Sequence, residues 1–242
     1  MTVLVGIDGT GPVSDREYAR DFRGSFVRYI CNHFPTPPRA HYIPGPRDSH
    51  WDLHAGSTTT DLAEEGYYFA RSRRGDEDIL LTGYSRGAAA VVAVAMELHE
   101  ARIPVAAMML FDCVDRNPTL NTRIIPPNVA EVIHVTRDPR AESRESFSNS
   151  GTHASSPTIY NGVRQTAAFS RGTRVRFMGT HGAMGGVPWH WSLRGGEIGG
   201  RYVYEGDPDG VTTITYAEDL ACSTRVWNFV RGSLRHLGFI RG

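Results

Sequence analysis

Gly83-Tyr84-Ser85-Arg86-Gly87 sets a hydroxyl between two glycines at fixed spacing. The apolar run Ile79-Leu80-Leu81 precedes it, and a stretch rich in Ala and Val, Ala88 to Ala101, follows. Strand, tight turn and helix in that order hold a serine on a strained turn, where only small residues fit two positions to either side. Such a serine can attack an acyl group. The helix behind it aims the positive end of its dipole at the developing oxyanion, and the amide of Arg86 is placed to donate to it.

A serine hydroxyl needs a base, and the base needs an acid to orient it. On a strand–turn–helix elbow the chain order is serine, acid, histidine. His181 directly follows the apolar run ending at Met178, and small residues, Gly182 and Gly185-Gly186, surround it. Loops at the C-terminal ends of parallel strands are where site residues gather. His99 falls in the last turn of the helix after the elbow and reads as a surface residue, and His134 falls inside a strand and reads as structural. Two acids compete: Asp112 ends the strand Val105 to Phe111, and Asp138 follows the strand Val129 to Thr136. Asp115 lies further into its loop. Spacing leaves this choice open. A second oxyanion donor is expected from the turn after the first strand, through the amide of Gly9 or Thr10.

These residues need a frame. Thr2 to Ile7 reads as a buried strand, Ala40 to Ile43 as a second, Asp78 to Thr82 as a third, and Arg174 to Met178 as the last. Helical spacing covers Glu17 to His33, Leu62 to Arg71, Ala88 to Ala101 and Ala217 to Leu237. Strands alternating with helices predict an α/β fold, a mainly parallel sheet with helices on both faces. Residues 1–242 are expected to form one catalytic domain. The Ser-rich stretch Ser143 to Ser156 reads as a mobile loop.

Charge narrows the partners. Lys plus Arg balances Asp plus Glu at 26 each, so no global field draws nucleic acid, and none is expected as a partner. Three widely spaced cysteines, Cys31, Cys113 and Cys222, argue against a disulfide framework and for folding in the cytosol. The start, Met1 to Ile7, has no basic segment, so export would use a route other than Sec. His50 and His54 with Asp48 and Asp52 have permissive spacing but no open-site metal motif; neither metal nor cofactor is expected. Trp51, Trp189 and Trp191 fall in loops, where amphipathic rings suit either a membrane surface or a cover over the core.

In order along the chain stand Asp8-Gly9-Thr10-Gly11, Tyr42-Ile43-Pro44-Gly45, the GYSRGA elbow, Phe111-Asp112-Cys113-Val114, the segment Arg140 to Phe147, and His181-Gly182-Ala183-Met184-Gly185-Gly186. As a set they resemble the α/β-hydrolase family that includes the phospholipase effectors of bacterial type VI secretion. That family shows an FDGT first strand, a GFSRGA elbow, a DTV segment and a final HxDxGG. The resemblance implies Ser85 as nucleophile, His181 as base and Asp112 as acid. It also implies a lipid or phospholipid ester as substrate, and an immunity or secretion protein as partner. Two positions depart from the pattern: Ala183 stands where the family has Asp, and Cys113 where it has Thr. The Asp8-Gly9-Thr10 triplet also resembles the DxDGT motif of haloacid-dehalogenase phosphatases, but Gly6 occupies the position of their nucleophile.

Overall fold

Apolar residues on successive positions of the central strands face opposite ways, as the period of two requires. The computed structural model describes residues 2–47, 55–73, 75, 77–117, 120–155, 158–161, 163–164, 175–188, 197–198, 202–206 and 209–241. In chain order the elements are β1 (Thr2–Ile7), α1 (Asp15–Asp21), α2 (Phe26–Asn32), β2 (Ala40–Ile43), α3 (Ala55–Arg73), β3 (Asp78–Tyr84), α4 (Arg86–Glu100), β4 (Val105–Phe111), β5 (Ile124–Ile125), β6 (Val129–Arg137), β7 (His153–Ala154), β8 (Ile159–Tyr160), β9 (Val163–Arg164), β10 (Val175–Phe177), α5 (His181–Met184), β11 (Glu197–Ile198), β12 (Tyr202–Gly206), β13 (Gly210–Val211) and α6 (Tyr216–His236).

The main sheet runs β2-β1-β3-β4-β6, all parallel. The far edge of β6 is shared: β8 pairs with its first half and β10 with its last three residues. Among the described strands of this sheet, β9, which turns back on β8, is the antiparallel one. Val5, Ile7, Ile79, Leu81, Met108 and Leu110 pack on one face against α3 and α4. Leu4, Leu80, Met109 and Phe111 pack on the other, against α1, α2, α5 and α6. Helices therefore cover both faces, and every parallel strand points its C-terminal end toward one edge. A separate antiparallel group, β11-β12-β13, precedes α6.

Two expectations need correction. The single helix expected over Glu17 to His33 is two helices. Ser25 caps the second, accepting from the amide of Arg28 at 3.3 Å, and Gly24 lies against the carbonyl of Gly186 too closely to carry a side chain. The Ser-rich stretch is pinned rather than loose: Ser143, Arg144, Ser150 and Thr152 are all buried and hydrogen-bonded. Buried backbone has to find partners, and here side chains from β12 and its neighbours supply them. Cys31, Cys113 and Cys222 are buried free thiols. No helix among the described residues is long and apolar enough to cross a membrane.

Candidate active site

Ser85 sits between β3 and α4 with φ 56° and ψ −127°, a conformation costly to any residue with a side chain. The strain persists because the surroundings over-determine it. The amide of Ser85 donates to the carbonyl of Phe111 at 3.0 Å, and its carbonyl accepts from Val114 at 3.1 Å. A side chain on Gly83 would press on Ala88 and on the carbonyl of Gly87, 2.7 Å away, and one on Gly87 would strike the carbonyls of Ile7 and Asp8. The flanking glycines are thus what lets the elbow lie flat on β1.

His181 is the first residue of α5. Thr180 caps that short helix, and Asp219 on α6 grips Thr180 twice, accepting from its amide at 2.7 Å and its hydroxyl at 2.6 Å. The amide of His181 donates to Ser143 Oγ at 2.9 Å, and Tyr84 Oη donates to its carbonyl at 3.1 Å. So held, the imidazole places Nε2 at 2.8 Å from Ser85 Oγ and Nδ1 at 2.6 Å from Asp112 Oδ2. The structure therefore brings Ser85, His181 and Asp112 into one hydrogen-bonded line, 6%, 3% and 0% exposed respectively.

Asp112 also takes a hydrogen bond from Asn149 Nδ2 at 2.7 Å and one from the Arg137 amide at 3.2 Å, and its Oδ2 pairs with the Arg137 guanidinium. Burial would raise its pKa, but Arg137, His181 and Asn149 outweigh burial and hold it well below the usual carboxylate range. Burial lowers the pKa of His181, against the opposing pull of Asp112. The line therefore pairs a fixed anion with an imidazole that is neutral at pH 7. It can take a proton from the Ser85 hydroxyl and steady the imidazolium that results.

Asp138 is not part of this arrangement. Its carboxylate caps the turn Pro139–Ala141 and binds the exposed Arg140 at 2.9 Å. Asp115 accepts from Thr122 Oγ1 at 2.5 Å and from the amide of Asn117, a turn role. Of the expected oxyanion donors, Arg86 opens α4, where helix N–H groups point out of the end toward Ser85. Gly9 needs correction: its amide donates to Asp8 Oδ1 at 2.9 Å and is engaged there. Thr10 keeps its candidacy, with a hydroxyl that is buried and has no partner among the described residues. His134, expected to be structural, is buried and bonds Tyr160 Oη at 2.7 Å. Asp48, His50, Trp51, Asp52, His54, Trp189 and Trp191 lie outside the described residues. Among the described residues no group of three or more His, Cys, Asp or Glu gathers as metal ligands.

Sequence reasoning missed Arg137, Asn149, Ser143, Thr180, Asp219 and Glu205. Arg137 carried a usable signal, a cation at the C-terminal end of a strand; the others lie too far from their partners along the chain to show a pattern.

No protein-family model matches the chain, and no curated protein does. Among solved structures, an uncharacterized protein from Pseudomonas aeruginosa is similar at 14% identity and TM-score 0.46, over 76% of this chain and 41% of its own. This chain thus spans about two fifths of that protein's length. A cutinase-like protein from Cryptococcus sp. is similar at 15% identity and TM-score 0.34, over 98% of this chain and 95% of its own. Aspergillus fumigatus lipase B is similar at 10% identity and TM-score 0.37, over 98% of this chain and 63% of its own. The molecule's own topology is the stronger statement: a mainly parallel sheet between two helical layers, a serine on the strand–turn–helix elbow of β3 and α4, and then an acid and a histidine on later strand ends make this an α/β-hydrolase-like fold.

Proposed function

We propose that this protein is a serine hydrolase of carboxylic esters working through an acyl-enzyme. The observation that carries the reading is the unbroken line from Ser85 Oγ through His181 to Asp112, at 2.8 and 2.6 Å. Ser85 Oγ attacks the ester carbonyl while its proton passes to His181 Nε2. The tetrahedral oxyanion is met by the amide of Arg86 and by the Thr10 backbone or hydroxyl. When the intermediate collapses, the C–O bond to the alcohol breaks and His181 returns the proton to the leaving oxygen. Water then repeats the sequence on the acyl-enzyme, losing its proton to His181, and frees the acid and Ser85. Asp112 stays ionised throughout.

The substrate class we propose is a lipid or phospholipid ester. Support comes from the resemblance of the ordered segments to those of the type VI phospholipase effectors. With it goes a role outside the producing cell, after folding in its cytosol. A secretion component and an immunity protein would then be partners.

The test is labelling with an alkyl fluorophosphonate, followed by hydrolysis of short p-nitrophenyl esters and of liposomes, with released fatty acid read by mass spectrometry. Wild type should be labelled at Ser85 and should release fatty acid, and Ser85→Ala should do neither. Loss of the nucleophile costs on the order of a millionfold in turnover. Cleavage of soluble esters with untouched liposomes would leave a soluble carboxylesterase. No labelling and no hydrolysis would leave a non-catalytic binding module.

A further inference from the structure

Asp8 is a buried acid that the proposed chemistry does not use. It is 0% exposed, at the C-terminal end of β1, beside the strand that carries Ser85. Its carboxylate accepts from three donors on three segments: the amide of Gly9 at 2.9 Å, Ser25 Oγ at the start of α2 at 2.5 Å, and Tyr42 Oη on β2 at 2.9 Å. Tyr18 on α1 completes the grip, donating to the carbonyl of Gly9 at 2.7 Å and accepting from the amide of Gly45 at 2.7 Å. Arg28, a cation that acts on Asp8 through space, spends a hydrogen bond on the carbonyl of Ala19.

A buried carboxylate without a bonded cation is expensive, and an apolar group in its place is often no worse for stability. Such violations collect where geometry matters more than stability. Here the geometry is that of one turn. A Cβ built on Gly9 would sit 3.2 Å from Ser85 Cβ and 2.6 Å from the Tyr84 ring, so this backbone lies directly on the nucleophile. The next residue is Thr10, whose hydroxyl is buried with no partner among the described residues. The hydroxyls of Thr82, Thr136 and Thr158 are likewise buried without a partner among the described residues, but Thr10 is the one that follows the turn lying on Ser85, where an unmet donor has an oxyanion to meet.

We infer that Asp8 is a positioning residue: through Gly9, and held by Ser25 and Tyr42, it sets Thr10 to meet the oxyanion formed at Ser85. The inference rests on the serine-hydrolase reading. A misplaced turn weakens only what forms in the transition state, so kcat falls and KM does not.

The experiment compares full-length wild type, Asp8→Asn and Tyr42→Phe on p-nitrophenyl butyrate, with fluorophosphonate labelling and Tm at pH 7.5. Asp8→Asn should lower kcat by roughly 10- to 100-fold, the scale of an ångström's misplacement. KM should stay within about threefold, Tm should not fall, and labelling should slow yet still reach every molecule. Tyr42→Phe removes one donor and should lower kcat severalfold. An unchanged kcat in folded Asp8→Asn overturns the inference and leaves the hydrolase reading standing. A loss of kcat matched by fewer labelled molecules means damaged fold and overturns it too. If Asp8→Asn does not fold, an unchanged kcat in Tyr42→Phe decides against it. Wild type that is neither labelled nor active removes the hydrolase reading first.

Discussion

Two aspartates flank the strand that carries Ser85. Asp8 follows β1 on one side of β3, and Asp112 follows β4 on the other; neither is exposed. Asp112 meets a guanidinium and stays ionised well below the usual range. Asp8 meets two hydroxyls and an amide, and burial pushes its pKa up to about 6 in spite of them. Neutral donors satisfy lone pairs without cancelling a net charge, and a low-dielectric interior makes the difference large. One aspartate is therefore a standing anion suited to facing an imidazolium. The other is suited to holding a turn in place. Asp219 and Glu205 resemble Asp8: burial raises them to about 6 and about 7, and each ties down a loop beside Ser85.

The hardest blow to this contrast is Asp112→Asn, expected to cut turnover about ten-thousandfold by removing the anion and the correct tautomer. Asp138→Asn should stay within about twofold of wild type, because its carboxylate serves only a turn and Arg140. Initial rates on a soluble ester decide; the reverse ranking would move the acid to the end of β6. Next comes Arg137→Met. Asp112 would be left buried without its cation, at a cost of about 3–5 kcal/mol. A urea midpoint that barely moved would mean that neutral donors suffice for Asp112 as well, and the contrast would vanish.

A smaller effect lies in how stability varies with pH. Folded Asp8 keeps its proton up to about pH 6, whereas its ordinary value is 3.8. Between those values the folded state binds more protons than the unfolded one, so its contribution falls as pH rises through that window and is flat above. Asp112 has the other sign: its contribution is present above the usual carboxylate range and is lost as pH falls toward its depressed folded value. Asp219 and Glu205 share the sign of Asp8, so the difference between wild type and Asp8→Asn isolates the one group. Melting curves should show Asp8→Asn gaining on wild type from pH 4.5 to pH 7; parallel curves would sever Asp8 from this account. The smallest change is Arg140→Ala, on a side chain 80% exposed, which should alter neither rate nor midpoint measurably.

Much of this was legible in the residues. Gly83, Ser85 and Gly87 announce themselves because a strained turn restricts its neighbours locally. His181 was found through the small residues that follow an apolar run. The acid was not decided by spacing, since Asp112 and Asp138 end strands alike, and only the resemblance favoured Asp112. The difference lies in what each meets across the fold, Nδ1 of His181 or the next turn's Arg140. Glu205 was invisible because Ser143, its partner, lies 62 positions away. The break in the first helical stretch was missed because Ser25 looks like any helical serine until its cap geometry and Gly24's neighbour are seen.

The clasp between Asp219 and Thr180 bears on the timing of synthesis. A chain leaves the ribosome N-terminus first. Ser85 and Asp112 emerge long before α6, yet the loop that aims His181 is gripped by the first turn of that helix. A side chain on Gly179 would collide with Cys222 of the same helix, so the loop and α6 must settle together. While α6 is still unmade, the nascent chain carries Ser85 without a seated His181 beside it. The proposed hydrolase would thus stay inert until α6 has emerged and its first turn has closed on Thr180.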